Sequence, residues 1–162
     1  MTKGKLTVLI GLPRSGKSTY SRLWEAGGDM RVVVSSDTVQ LATHGHVYLG
    51  ITTGLCHEIY YIMIRTLLLQ GYDVLADDTH SSTSSLLKLF SIQQDLHWFH
   101  IDTPEEECIR RAHLTNQSYL EKPIQRLAAQ FRKNFPVSVD ETMNRLKQEY
   151  IQMDGKYRGH IS

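Results

Sequence analysis

Cysteine is scarce in this chain of 162 residues. Cys56 and Cys108 stand at no metal-ligand spacing and fall inside helical patterns, which predicts two reduced core thiols rather than a zinc module. Long apolar runs are missing too. No stretch is long enough to span a bilayer and no signal peptide is read, so a cytoplasmic protein is expected. Excess charge of either sign is also absent: 18 Lys and Arg against 17 Asp and Glu leave a net +1, which announces neither a strongly basic nucleic-acid surface nor an acidic tail. There is no internal repeat, low-complexity tract or linker, and the length predicts one domain over 1–162 with enough chain for a real core. The charge is uneven, however. Between Thr38 and Thr103 only Arg65 and Lys88 are basic, whereas the segment after Pro104 is rich in Lys and Arg. That basic third reads as solvated helix faces before it reads as an anion surface.

What is present is concentrated between Lys5 and Thr19. Leu6-Thr7-Val8-Leu9-Ile10 predicts a buried strand. It runs into Gly11-Leu12-Pro13-Arg14-Ser15-Gly16-Lys17-Ser18-Thr19, which matches the phosphate-binding pattern G-x-x-x-x-G-K-S/T. Gly11 and Gly16 permit the tight turn that aims successive N–H groups at an anion. Lys17 supplies charge for β- and γ-phosphates, and the Ser18 hydroxyl offers one ligand position to Mg²⁺. The following segment to Ala26 predicts a helix whose positive end faces the phosphates. Strand, loop and helix in this order predict a nucleotide phosphate site.

The remaining chain alternates. Strands are predicted at Met30–Val34, Tyr72–Ala76 and His97–Ile101. Helices are predicted over 38–42, over 53–70 with a core stripe of Leu55, Ile59, Ile62, Met63, Thr66 and Leu67, over 83–94, over 104–113, over 124–134 after Pro123, and over 139–153 with Met143, Leu146, Tyr150 and Met153 on one side. Pro104 fits a first helical position, and residues after Asp154 are expected to fray. The order predicts a three-layer α/β/α fold of P-loop NTPase type, its short sheet of about four strands mainly parallel, with a polar lid over 114–122. His44 and His46 lie in a predicted loop over 43–50 and read as solvated rather than metal-bound. Ser36 and Asp37 stand at a strand end where ligands bind in open α/β sheets, and either could instead cap the next helix. Asp77 and Asp78 end another strand: they suit Mg²⁺ or a substrate hydroxyl, or else they or Ser81 cap the helix that follows.

A phosphate loop serves ATPases, GTPases and kinases. The chain has no Asn/Thr-Lys-x-Asp base-reading sequence, and it is small for a motor ATPase. An acidic residue after the second strand and an arginine-bearing lid are what transfer to an acceptor hydroxyl requires. The glycine loop, Ser35-Ser36-Asp37, the Gly71-to-Asp78-Thr79-His80 block and Cys108-Ile109-Arg110-Arg111 before Pro123 resemble the bacteriophage polynucleotide kinase-like group of P-loop kinases. The resemblance implies ATP and Mg²⁺ as cofactors, held by the loop from Gly11 through Pro13, Arg14, Ser15, Gly16, Lys17, Ser18 and Thr19. It implies Asp37 as general base, Asp78 organising acceptor or metal, and Arg111 with Arg110 on the lid side of ATP. The acceptor it implies is a nucleic acid or nucleotide, first a polynucleotide 5′-hydroxyl. The departures are specific. Gln40 stands where the group has an arginine that grips acceptor phosphate, Thr115 replaces a second lid arginine, and His80 replaces an asparagine. Arg14, Arg126 and Arg132 are candidate replacements for the lost cation. His80 is read either as an acceptor contact or as an ordinary histidine at a helix start. A kinase of hydroxymethylated DNA bases, a small-molecule kinase and a non-catalytic nucleotide-binding module are the alternatives.

Overall fold

A computed structural model describes residues 3–47 and 54–158. Four strands, β1 (Leu6–Ile10), β2 (Arg31–Ser35), β3 (Asp73–Asp77) and β4 (His97–His100), form one sheet in the order β2-β3-β1-β4. Every pairing is parallel. The register sets Leu9 beside Asp77, and Asp77 beside Ser35, so the strands end together at one edge. Parallel strands need crossovers, and the chain supplies them as α1 (Lys17–Glu25), α2 (Ser36–His44), α3 (Gly54–Leu69) and α4 (Thr83–Ile92); α5 (Glu105–Leu114), α6 (Glu121–Asn134) and α7 (Val139–Arg158) follow the last strand. This is the α/β arrangement with a short parallel sheet that the sequence predicts.

Alternation along the strands divides the core. Leu6, Val8, Ile10, Val34, Val74 and Ala76 face a cluster completed by α3, α4 and α7. Leu9, Asp77 and Phe99 share the opposite face, where Tyr20 of α1 stacks on Phe99 at 4.7 Å. Both Cys56 and Cys108 are buried, and neither is in a disulfide.

Several predicted details shift. The stripe of α3 is Cys56, Tyr60, Ile64 and Leu68, while Leu55 and Ile62 are each 61% exposed. This helix is apolar nearly all round, so the side facing the sheet was decided by packing rather than by period. The loop predicted over 43–50 begins two residues late, at the Gly45 end of α2, so His44 closes the helix, and the last three predicted positions lie outside the described residues. Pro104 flanks α5 rather than opening it. The predicted lid over 114–122 is folded: Ser118–Leu120 is a 3-10 turn, Leu120 is buried, and α6 already begins at Glu121. Leu120 anchors this otherwise polar stretch against Cys108, Ala112 and Ile124, with Leu12 of the glycine loop packed on the same cluster. The last helix continues past Asp154 to Arg158, and Met153 from its predicted stripe is 52% exposed.

Candidate functional site

The shared strand edge opens into a cleft of about 1020 Å³, lined by the glycine loop, the start of α2, the end of β3 and the α5–α6 connection. Its floor is the turn after β1. A Cβ on Gly11 would sit 2.9 Å from Ser15 Oγ and 3.0 Å from the Ile101 carbonyl oxygen, so the turn is closed to any larger residue. Arg14 and Gly16 both adopt left-handed backbone, with φ 66° and 113°. Gly16 then flanks α1 with no side-chain cap, and the first bonds back to it come from Thr19 N and Tyr20 N. The N–H groups of Gly16, Lys17 and Ser18 therefore precede the helical ladder and carry its positive end. Ser15 Oγ and Arg14 Nε are buried without a hydrogen-bond partner. An anion with several acceptor oxygens fits these groups.

Lys17 Nζ donates to the carbonyls of Gly11 (2.9 Å) and Leu12 (2.7 Å). Burial lowers its pKa, against the pull of Asp77 and Asp78. Pro13, Ser18 and Thr19 line the same cleft, while Gly11 and Ser15 form the turn beneath it.

Neither Ser36 nor Asp37, the two capping candidates, caps α2. Ser35 is the N-cap of α2, its Oγ accepting from Thr38 N at 3.0 Å. Asp37 thus stands in the first turn of α2 and lines the cleft. Partial desolvation raises its pKa, and the negative charges of Asp78 and Asp77 add to that effect. Neither Asp77, Asp78 nor Ser81 caps α4, whose boundary residue is Ser82. Asp77 Oδ2 accepts from Ser21 Oγ at 2.7 Å, and Asp78 Oδ1 from the Thr79 amide at 2.7 Å. No group of three or more His, Cys, Asp or Glu among the described residues forms a metal cage. Ser18 and Asp78 both line the cleft, which suits a hard cation that keeps most of its ligands as water and phosphate oxygen.

The adjacent arginines of α5 separate. Arg111 Nη1 donates to the carbonyls of Ser15 (3.1 Å) and Arg14 (3.3 Å), and its Nε donates to Glu107 Oε1 at 2.7 Å. Thr103 Oγ1 donates to the same Ser15 carbonyl at 2.8 Å. Arg110 makes a two-pronged pair with Glu107 and is absent from the cleft lining. Together, Arg110 first and then Arg111, the two guanidiniums hold the Glu107 carboxyl down at about 2. Glu107 and Thr103 were not singled out from sequence, although the i,i+4 spacing of Glu107 to Arg111 was a legible signal for the first.

Of the two residues the sequence offers as acceptor contacts, Gln40 lines the cleft but is only 3% exposed. His80 lines the cleft too, with both ring nitrogens engaged, and it does not start a helix. It is buried with φ 50°; its Nδ1 donates to the Leu9 carbonyl at 2.6 Å, so Nε2 is the acceptor for the Tyr60 hydroxyl at 3.0 Å. Burial lowers its pKa and keeps it neutral. The ring ties the end of β1 to α3. Its protonation penalty gives a test. The unfolded chain takes up the proton below about 6.5 while the folded chain does not, so stability falls as pH drops from there toward the depressed folded value. Thermal or urea unfolding of wild type should show an acid slope of up to about 1.4 kcal/mol per pH unit from this group. His80→Asn, which tolerates the same backbone, should flatten it. His100, also depressed by burial, remains in both proteins and cancels in the comparison. Identical slopes would assign the acid sensitivity elsewhere.

No helix among the described residues is long and apolar enough to cross a membrane. No curated protein matches the sequence. Among solved structures, a chain of the Pnkp1/Rnl/Hen1 RNA repair complex superposes with a TM-score of 0.66 at 24% identity, over 82% of this chain and 45% of that one. The present chain thus spans less than half of that relative's length. A gluconokinase from Sinorhizobium meliloti 1021 matches at TM-score 0.57 and 14% identity, over 98% of each chain. Shikimate kinase from Acinetobacter baumannii, solved with shikimate, matches at 0.57 and 15%, over 96% of each. These neighbours share the fold and do not single out the bacteriophage group. A family model described as AAA domain matches residues 6–137, so the chain belongs to that P-loop family.

Proposed function

We propose that this protein is an ATP-dependent hydroxyl kinase that moves the γ-phosphoryl of ATP to a hydroxyl of a nucleic acid or nucleotide, first of all a polynucleotide 5′-hydroxyl. The observation that carries it is the placement of Asp37, a carboxylate of raised proton affinity, on the wall of the cleft whose floor is the glycine loop. Asp37 takes the proton of the acceptor hydroxyl as its oxygen bonds to the γ-phosphorus, and the bond from that phosphorus to the β–γ bridging oxygen breaks. The loop amides and Lys17 hold the phosphates of the leaving ADP. Arg111, already lying on the loop, neutralises charge on the phosphoryl in transit. The α5–α6 unit packed on Leu12 screens the site from water. Ser18 and Asp78 would hold Mg²⁺, which supplies charge neutralisation across the phosphates.

Support for a nucleic-acid acceptor is that one structural neighbour belongs to an RNA repair complex. A second reading, a kinase of hydroxymethylated DNA bases, is favoured by Gln40: it would need no arginine at an end-recognition position. Radiolabelled transfer from ATP to 5′-hydroxyl DNA, 5′-hydroxyl RNA, hydroxymethyluracil DNA, nucleosides and sugar alcohols tests both. End-labelling sensitive to terminal phosphatase is expected. Label that survives the phosphatase would select the base kinase, and ATP binding without any labelled acceptor would overturn catalysis altogether.

A further inference from the structure

The cleft continues past the glycine loop, and its far wall carries the charge that the Gln40 position does not. Arg126 on α6 and Lys88 on α4 both line it. Arg126 is exposed and forms no ion pair among the described residues. Arg132, on the same helix, is held by Glu105 at 2.8 Å and is absent from the lining. Arg14 lies in the loop, and the Nε of Arg22 is turned to Ser18 O at 3.2 Å, so both belong to the donor end. Lys88 sits 5.1 Å from the centre of the Tyr61 ring. Its 3.4 Å contact with Glu58 joins two exposed groups and is weakened by solvent.

The position of Arg126 follows from the packing of α6. Gln130 Oε1 accepts from Ser81 Oγ at 2.9 Å, and Asn134 Nδ2 donates to the Ser81 carbonyl at 2.7 Å. These bonds fasten α6 beside the segment that leads into α4, which also lines the cleft. Arg126 lies one turn before Gln130 on the same helix face, about 6 Å along the axis. At its other end α6 buries Ile124 against Cys108 and Leu120, on the cluster that includes Leu12. The helix thus bridges the loop and the acceptor wall, with Arg126 between its two anchor points.

We infer that Arg126, assisted by Lys88, grips a phosphate carried by the acceptor, so that the substrate is a nucleotide or polynucleotide bearing phosphate near its reactive hydroxyl rather than a neutral alcohol. A guanidinium meets two phosphate oxygens at once, and Lys88 adds a point charge to the same group. The inference rests on the kinase reading above and assigns its acceptor end.

The test is equilibrium binding of thymidine 3′-phosphate and of thymidine to the full chain saturated with a non-hydrolysable ATP analogue, with turnover measured alongside. Wild type should prefer the phosphorylated acceptor about ten- to hundredfold, as expected for a charge-assisted contact. Arg126→Ala should erase that preference, Lys88→Ala reduce it, and Arg126→Lys restore part of it, while affinity for the analogue stays within about twofold of wild type. A wild type without preference overturns the inference, as does an Arg126→Ala protein that keeps the preference or weakens the analogue instead. Phosphate preference without turnover would leave the subsite standing and sink the kinase reading. Turnover on neutral alcohols and phosphorylated acceptors alike would do the reverse.

Discussion

Replacing Asp37 by asparagine should remove phosphoryl transfer almost entirely while leaving nucleotide affinity near wild type. The amide keeps the size of the carboxylate but cannot take the acceptor proton, and a positioned general base is worth about 10²- to 10⁴-fold. Because Ser35 performs the capping of α2, the substitution costs the helix no cap. Stability offers an independent control. Partial burial and the charges of Asp78 and Asp77 raise the folded pKa of Asp37 above its ordinary 3.8. A carboxyl with a raised folded pKa loses stability as pH climbs from the unfolded value through the folded one, and that cost persists at neutral pH. Asp37→Asn removes the charge, so its melting temperature should equal or exceed that of wild type. A more stable, ATP-binding, inactive protein would place the loss in the chemistry. In wild type the acid limb of kcat/KM should follow the raised pKa of this group, with activity lost as pH falls through it. Near-normal single-turnover transfer by Asp37→Asn would refute the assignment.

What the sequence made legible was local. The glycine loop is a contiguous pattern in which each residue type answers to a backbone or charge requirement, so strand, turn and helix could be read together. Asp37 and Asp78 were legible because strand ends in parallel sheets gather at one edge. His80 was not, since its meaning lies in the Leu9 carbonyl and the Tyr60 hydroxyl, which are remote in sequence. The side of α3 that faces the sheet was hidden by an excess of apolar residues, several of them left exposed. Arg110 and Arg111 look equivalent in the sequence. Only the burial of Cys108 and Ala112, which fixes the rotation of α5, turns one of them to the loop and leaves the other with Glu107.

Lys17→Ala should be the second large loss, and of a different kind. Its ammonium lies on the carbonyls of Gly11 and Leu12 in the floor of the cleft, and burial has already lowered its proton affinity. The folded chain therefore keeps a desolvated cation at a cost, one that a polyphosphate bound in the loop would offset. Removing it should take away roughly 10²- to 10³-fold of turnover, the scale for losing one charge-directed donor in a water-poor site. Unlike Asp37→Asn, it should also weaken ATP, because the interaction exists before the phosphoryl group moves. The thermal shift that ATP gives wild type by binding the folded state should shrink or vanish in Lys17→Ala and survive in Asp37→Asn. That crossed pattern separates phosphate holding from proton removal. If Lys17→Ala keeps its ATP-induced shift and turns over within about tenfold of wild type, the loop is not the donor end of the cleft.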